Sequence, residues 1–384
     1  MKLKMTGSGT DPLRGGSERP EQGDSARLRP GFLLLTLLVA VAYTLLRFEL
    51  NIEYEKANLG SFYSLNAPIP FGYRVLIPLL TRPLVWTGLT VREAFFFWEF
   101  CTVTLLVLVL YQLFRESLGR KGSEVLALGF LWFLPSAFLL QFRWPLFYPY
   151  DTPAMLMTTA GLWLMIQQKW AALIPLLFLA TLNRESSLLL VLLYGVLFPD
   201  KLSIRTYLLI GLSLCGVYVL TRAGVGIFTL DNPRPYGSSM AFLYRDEWRS
   251  FNNLRWISDF RNIPILLATL GFLPVLVVCL KKHIPHDLFR VHLVALAYFG
   301  MLIFVGNLYE PRVFGELLVL GYVLFGLGLA GFLSGEKPGD PLPVFTTQTP
   351  ILSERLLTTV NRYGWILLLG LIGAGLLLQH MMSP

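Results

Sequence analysis

Asn183, Arg184 and Glu185 place an amide, a guanidinium and a carboxylate side by side between two strongly apolar stretches, 171–180 and 188–198. A carboxylate can take a proton from a hydroxyl, and a guanidinium fork can hold a phosphate or a carboxylate. An arginine at the bilayer centre costs about 2.5–3.5 kcal/mol even on the lenient insertion scale, so an ionisable group in such a run points to function by default. The alternative is an Arg184–Glu185 pair that closes a helical hairpin at the surface. Polar groups of the same kinds recur in Tyr73-Arg74, Tyr150-Asp151 and Glu310-Pro311-Arg312, and Glu49, Glu53 and Glu55 follow the first apolar run.

The elements that must position these groups are membrane helices. The chain is 54% hydrophobic and only 15% charged over 384 residues, which predicts an all-α, polytopic integral membrane protein. Cys101, Cys215 and Cys279 lie far apart in apolar segments, so neither a disulfide framework nor a cysteine-based zinc site is expected. The net charge of +8 suits loops facing anionic lipid. No soluble basic domain accompanies it, so nucleic acid is not an expected partner, whereas membrane lipids are.

Residues 1–30 are rich in Gly, Pro, Ser, Arg and Glu and predict a disordered tail. Its lysines and arginines place it in the cytoplasm. Residues 31–384 then form a single transmembrane domain of about ten segments, with 31–46 as the first. Residues 74–86 are too short and proline-broken to span and predict a re-entrant or interfacial segment. Further segments are expected at 95–114, 125–142, 152–166, 206–220, 263–280, 291–306, 313–333 and 365–378. Residues 171–198 are read as two half-length helices meeting at Asn183-Arg184-Glu185, because a single crossing would put Lys201 and Arg205 outside. Gly321, Gly326, Gly328 and Gly331, and likewise Gly370, Gly373 and Gly375, allow helices to approach closely.

This topology sorts the cations. Lys2, Lys4, Lys121, Lys169, Lys201, Lys281, Lys282 and Lys337 fall inside, and Lys56 outside. Arg47, Arg74, Arg82, Arg92, Arg143, Arg184, Arg222, Arg234, Arg245, Arg249, Arg255, Arg261 and Arg312 fall at or near the outer face, together with Glu49, Glu53, Glu55, Asp151, Glu185, Glu310 and Glu316. Insertion favours neither cation outside, so the arginine excess suggests work for a planar fork, such as holding phosphate or carboxylate. Pairing with the nearby acids or with lipid phosphates is the competing explanation for any one of them.

With its many-helix layout, acidic first outer loop and the motifs Tyr73-Arg74, Tyr150-Asp151, Asn183-Arg184-Glu185 and Glu310-Pro311-Arg312, the chain resembles the GT-C superfamily of polytopic glycosyltransferases. The resemblance extends over 31–333. It implies a polyprenyl-phosphate sugar donor and transfer to an acceptor at the extracytoplasmic face, in a bacterial inner membrane with the N-terminus in the cytoplasm. A divalent metal is the only cofactor it leaves open. The superfamily usually carries an aspartate, often paired as Asp-Asp or Asp-Glu, in the first loop; here there are spaced glutamates. The base is therefore sought first at Glu53, by its position in the first outer loop, with Asp151 and Glu185 behind it. Arg74, Arg184 and Arg312 are candidate phosphate clamps, with Glu310 beside them and Asn183 and Tyr150 to orient them.

Two other functions fit the inventory. A transporter or flippase of an anionic or lipid-linked substrate would also use charged half-helices, but near the midplane and in two similar halves. A polysaccharide polymerase or ligase would share the outer arginines. His283 and His286 lie in a basic turn with Lys281 and Lys282, where a solvated loop is expected rather than a metal site. The aromatic residues of loop 223–261 suit either sugar stacking or an interfacial belt.

Overall fold

The computed structural model describes residues 28–55, 57–139, 145–199, 201–233 and 249–334. Nearly all of the expected tail, Lys56, Arg143, the 234–248 part of the aromatic loop, and the segment 365–378 with its glycines lie outside the described residues.

The first helix, α1 (Pro30–Leu50), shows which solvent the fold is built for. Pro30 suits the first turn, where its missing N–H costs nothing. The inward stripe is Phe32, Thr36, Ala40, Tyr43, Thr44 and Arg47, whereas Leu34, Leu38, Leu45 and Leu46 are exposed. Small and polar groups inward with leucine outward is the reverse of a water-soluble helix and suits lipid outside. Thr36 and Thr44 donate to the carbonyls of Phe32 and Ala40, each at 2.8 Å, so these hydroxyls spend their hydrogen bonds within the helix.

After α1 come a two-residue strand β1 (Ile52–Glu53), a short α2 (Leu59–Tyr63) and α3 (Leu76–Trp86). Then α4 (Val91–Gly129) starts on a capping box of Thr90 and Glu93, and its axis breaks at Gly119, where φ is 63°. That left-handed conformation suits glycine and falls in the basic turn expected between two segments. Beyond α5 (Leu134–Phe138), strand β2 (Leu146–Phe147) pairs in parallel with β1, Ile52 opposite Leu146 and Glu53 opposite Phe147. This bridge ties the first polar loop to the start of α6 (Asp151–Ile166).

The interrupted stretch at 171–198 is a hairpin. Helix α7 (Trp170–Asn183) stops at extended Arg184, a 3-10 turn covers Glu185–Ser187, and α8 (Leu188–Leu197) returns. Trp170 and Phe198, at the far ends of the two helices, meet with ring centroids 4.9 Å apart. At 1.5 Å per residue the arms are roughly 21 and 15 Å long, short of a ~30 Å hydrocarbon core. Helix α9 (Ile204–Phe228) follows, mostly exposed, then α10 (Arg249–Ser258), α11 (Asn262–Thr269), α12 (Leu273–Leu280), α13 (His286–Phe289), α14 (Val291–Val305) and α15 (Gly315–Ser334).

The expected single segment 263–280 is instead α11 and α12, bent by 75°. Gly271 and Phe272 adopt φ of 58° and 57° there, and a Cβ on Gly271 would lie 2.2 Å from the Phe133 ring. Five helices among the described residues are long and apolar enough to cross a bilayer, six if the bent pair is one span. The fold is thus an all-α, polytopic membrane protein. The sequence expectation of about ten exceeds this count partly because α3, α7 and the 185–197 arm are too short to span.

Of the five candidate spans the one that contains α15 is the most enclosed, and the glycines of α15 are packing sites. A Cβ on Gly326 would come within 2.5 Å of the Phe114 ring, and one on Gly331 within 2.4 Å of the His283 carbonyl. Arg92, at the start of α4, reaches the Phe48 carbonyl at 3.2 Å. One end of the bundle therefore gathers the close of α1 and the start of α4, and with them the start of α6, the α7–α8 turn and the start of α15. The opposite end is tied by Arg29–Glu124 at 3.8 Å, Gln167–Glu116 at 2.9 Å and Lys201–Asp287 at 2.7 Å.

Candidate functional site

The arginine-rich end is organised on Asp151, the first residue of α6, whose carboxylate is buried. Arg184 Nη1 lies 3.3 Å from Oδ1, while Arg312 Nη1 and Arg47 Nη2 lie 3.7 and 3.9 Å from Oδ2. Each arginine has a second acid. Arg47 pairs with Glu99, Arg184 with Glu316 at 3.4 Å, and Arg312 with Glu310 at 2.5 Å. The signs alternate, as buried ions require, since an unpaired one would cost several kcal/mol. Hydroxyls and amides complete the set: Thr152 donates to Glu99 at 2.7 Å, Ser186 to Glu316 at 2.5 Å and Asn307 to Glu310 at 2.5 Å.

Local backbone explains how these groups arrive. The polar run at 183–187 cannot continue an apolar helix, so α7 ends, and Asn183 donates to the Tyr150 carbonyl at 2.9 Å. That bond fixes the α7 terminus against the start of α6. Arg74, at the end of the 3-10 turn Phe71–Tyr73, lies over the Tyr150 ring at 4.1 Å and donates to Glu185 at 2.8 Å. Arg312, in the turn Pro311–Phe314, lies over Tyr148 at 3.9 Å, and Tyr148 stacks on Phe71 at 5.5 Å. Buried Asn253 donates to the carbonyls of Ile303 and Gly306 at 2.8 and 2.7 Å and accepts from the Leu308 amide at 3.1 Å, holding the entry to this turn.

Burial pushes the Tyr150 phenol up to about 12 against the pull of Arg74 and Arg312, so it stays neutral beneath the cations. Burial disfavours the charged Arg74 guanidinium, but Glu185 and Tyr150 together more than offset it and the Arg74 pKa is raised. Both groups therefore keep one protonation state across the physiological range.

Above this layer lies a cavity of about 1150 Å³. Arg74, Arg184, Glu185, Arg222, Glu310 and Arg312 form its charged wall, and Tyr54, Tyr73, Tyr148, Tyr218, Tyr298 and Tyr309 its aromatic one. Leu188, Leu189 and Leu192 of α8 face Ala297, Met301 and Leu302 of α14 on an apolar side. Such a space can take an amphiphile with an anionic, hydroxyl-bearing head.

No family model matches the chain, and neither a curated protein nor a solved structure is significantly similar to it.

Of the residues singled out from sequence, Arg74, Arg184, Glu185, Glu310 and Arg312 line this one cavity. Tyr150, Asn183 and Asp151 are buried behind its wall. Glu53 is apart: it is exposed, its Oε2 accepts from the Leu59 amide at 2.9 Å at the start of α2, and only its neighbour Tyr54 reaches the cavity. Among the described residues no group of three or more His, Cys, Asp or Glu is arranged to hold a metal.

Sequence reading missed the Arg47–Glu99–Thr152 layer. Glu99 was visible as a lone acid in the apolar run 95–114, where an uncompensated charge is expensive. The roles of Tyr218, Tyr298 and Asn253 carried no local signal.

Proposed function

We propose that the chain is a membrane glycosyltransferase that moves a sugar from a lipid-phosphate carrier to a hydroxyl acceptor at the extracytoplasmic face, with the GT-C superfamily as its nearest likeness. The observation that carries this reading is a single cavity with arginines and an accessible glutamate on one wall and leucines on another. The acceptor oxygen attacks the anomeric carbon as the bond to the carrier phosphate breaks. Glu185, 40% exposed at the side chain, takes the hydroxyl proton. The electron pair leaves on the phosphate, whose charge the arginine wall stabilises. In this scheme Asp151 positions Arg184 and Arg312, and Glu53 acts outside the transfer step.

The arginine-rich end then faces away from the cytoplasm and the lysine-bearing end toward it, as the positive-inside rule prefers for lysine. The gathering of charge at one end favours this reading over a transporter, which would hold its charges at mid-depth. The experiment is sugar transfer from polyprenyl-phosphate sugars by the full chain in nanodiscs. Glu185→Gln, which keeps a hydrogen-bond acceptor for Arg74, should stay folded with some loss of stability and transfer roughly 10² to 10⁴ times more slowly. Full activity in that variant would end the assignment of the base.

A further inference from the structure

Four arginines line the cavity, and three are held by protein carboxylates. Arg74 is held by Glu185 at 2.8 Å, Arg184 by Asp151 and Glu316 at 3.3 and 3.4 Å, and Arg312 by Glu310 at 2.5 Å. The exception is Arg222, which has no carboxylate partner among the described residues. It stands on α9 one turn after Tyr218, whose hydroxyl donates to the Glu185 carbonyl at 3.2 Å, so this face of α9 is fixed against the α7–α8 turn. The Arg222 guanidinium lies over the Tyr73 ring at 5.0 Å, and its Nη1 is buried with no hydrogen-bond partner among the described residues.

A ring face attracts the cation but accepts little from N–H groups lying in the guanidinium plane. Arg222 thus keeps a planar fork of donors in an enclosed, partly apolar space, where a pair of phosphate oxygens would satisfy it. The apolar wall indicates what carries that phosphate. Leu188, Leu192 and Met301 line the cavity and are 37%, 42% and 40% exposed, so its apolar wall is open enough to receive a long hydrocarbon chain.

We propose that Arg222, seated on Tyr73, is the anion-binding residue of this cavity and takes the phosphate group of a long-chain amphiphile, while Arg74, Arg184 and Arg312 hold the cavity's own carboxylates. The choice of a phosphate rests on the transferase reading; the choice of Arg222 does not.

The test is binding to the full chain in neutral-lipid nanodiscs, with three probes: a polyprenyl monophosphate, the matching polyprenol and inorganic phosphate. Wild type should bind the monophosphate most tightly. Arg222→Gln should weaken that binding about tenfold to a hundredfold and leave polyprenol binding unchanged. Arg222→Lys, which keeps charge but not the fork, should fall between, and serves if Arg222→Gln does not fold. Equal monophosphate affinity in wild type and the variants would overturn the assignment, and so would wild-type affinity for polyprenol matching that for its phosphate. Inorganic phosphate binding as tightly as the monophosphate would overturn the amphiphile. Binding that depends on Arg222, with no sugar transfer by wild type, would remove the transferase reading and leave Arg222 in place.

Discussion

The two ends of the bundle use the same kinds of charged residue in opposite ways. At one end Arg47, Glu99, Asp151, Arg184, Glu316 and Arg312 form a continuous buried alternation of sign beneath a cavity. At the other, Glu124 is shared by Arg29 and Arg120, and Asp287 by Lys201 and Arg290, two small separate clusters that tie neighbouring elements together. Arginine forks can share one carboxylate among three cations, as at Asp151, whereas an ammonium is a flexible point charge that suits single contacts. The difference teaches where charge has been taken out of solvent: a buried network is costly to break and therefore rigid, and an exposed pair is cheap and replaceable.

That contrast can be broken or sharpened by substitution. The largest effect is expected from Glu99→Ala, which strands the buried Arg47 charge and should cost about 3–5 kcal/mol in reversible unfolding. Adding Arg47→Met should restore much of the loss; if the double variant is no more stable than the single, the penalty is not an uncompensated charge. Asn253→Ala removes bonds to two carbonyls and one amide that lock the Pro311–Phe314 turn, and about 2 kcal/mol should go in the same measurement. At the opposite end Lys201→Ala should cost about 1 kcal/mol, since Asp287 keeps a second cation, Arg290 at 4.0 Å. Arg29→Ala should change stability by less than about 0.5 kcal/mol, and 0.5 M salt should erase even that, read as the difference between wild type and variant. A lysine-end substitution that matched Glu99→Ala would refute the contrast.

Much of the site was legible because charge in an apolar run has few explanations. Arg184, Glu185, Arg74, Glu310 and Arg312 stood out from sequence by residue type and surroundings, and all reach one cavity. Glu53 stood out equally, yet its carboxylate engages the start of α2, a local bond that composition cannot separate from a catalytic placement. Arg222 carried no motif of its own in the sequence, unlike Tyr73-Arg74; the partners that separate the two, the Tyr73 ring for Arg222 and Glu185 for Arg74, come from elements far away in the chain.

By itself the sequence determined the solvent and the breaks. Long apolar stretches must be helical in lipid, because each backbone polar group has to be satisfied within its own segment. Polar runs such as Asn183-Arg184-Glu185 must interrupt them. Tertiary structure alone decided which charges neutralise one another, that 263–280 bends where Phe133 packs on Gly271, and which cavity arginine is left without a carboxylate partner among the described residues. Those outcomes depend on distances between helices, which fall off from hydrogen bond to nothing within an ångström or so, and no local pattern encodes them.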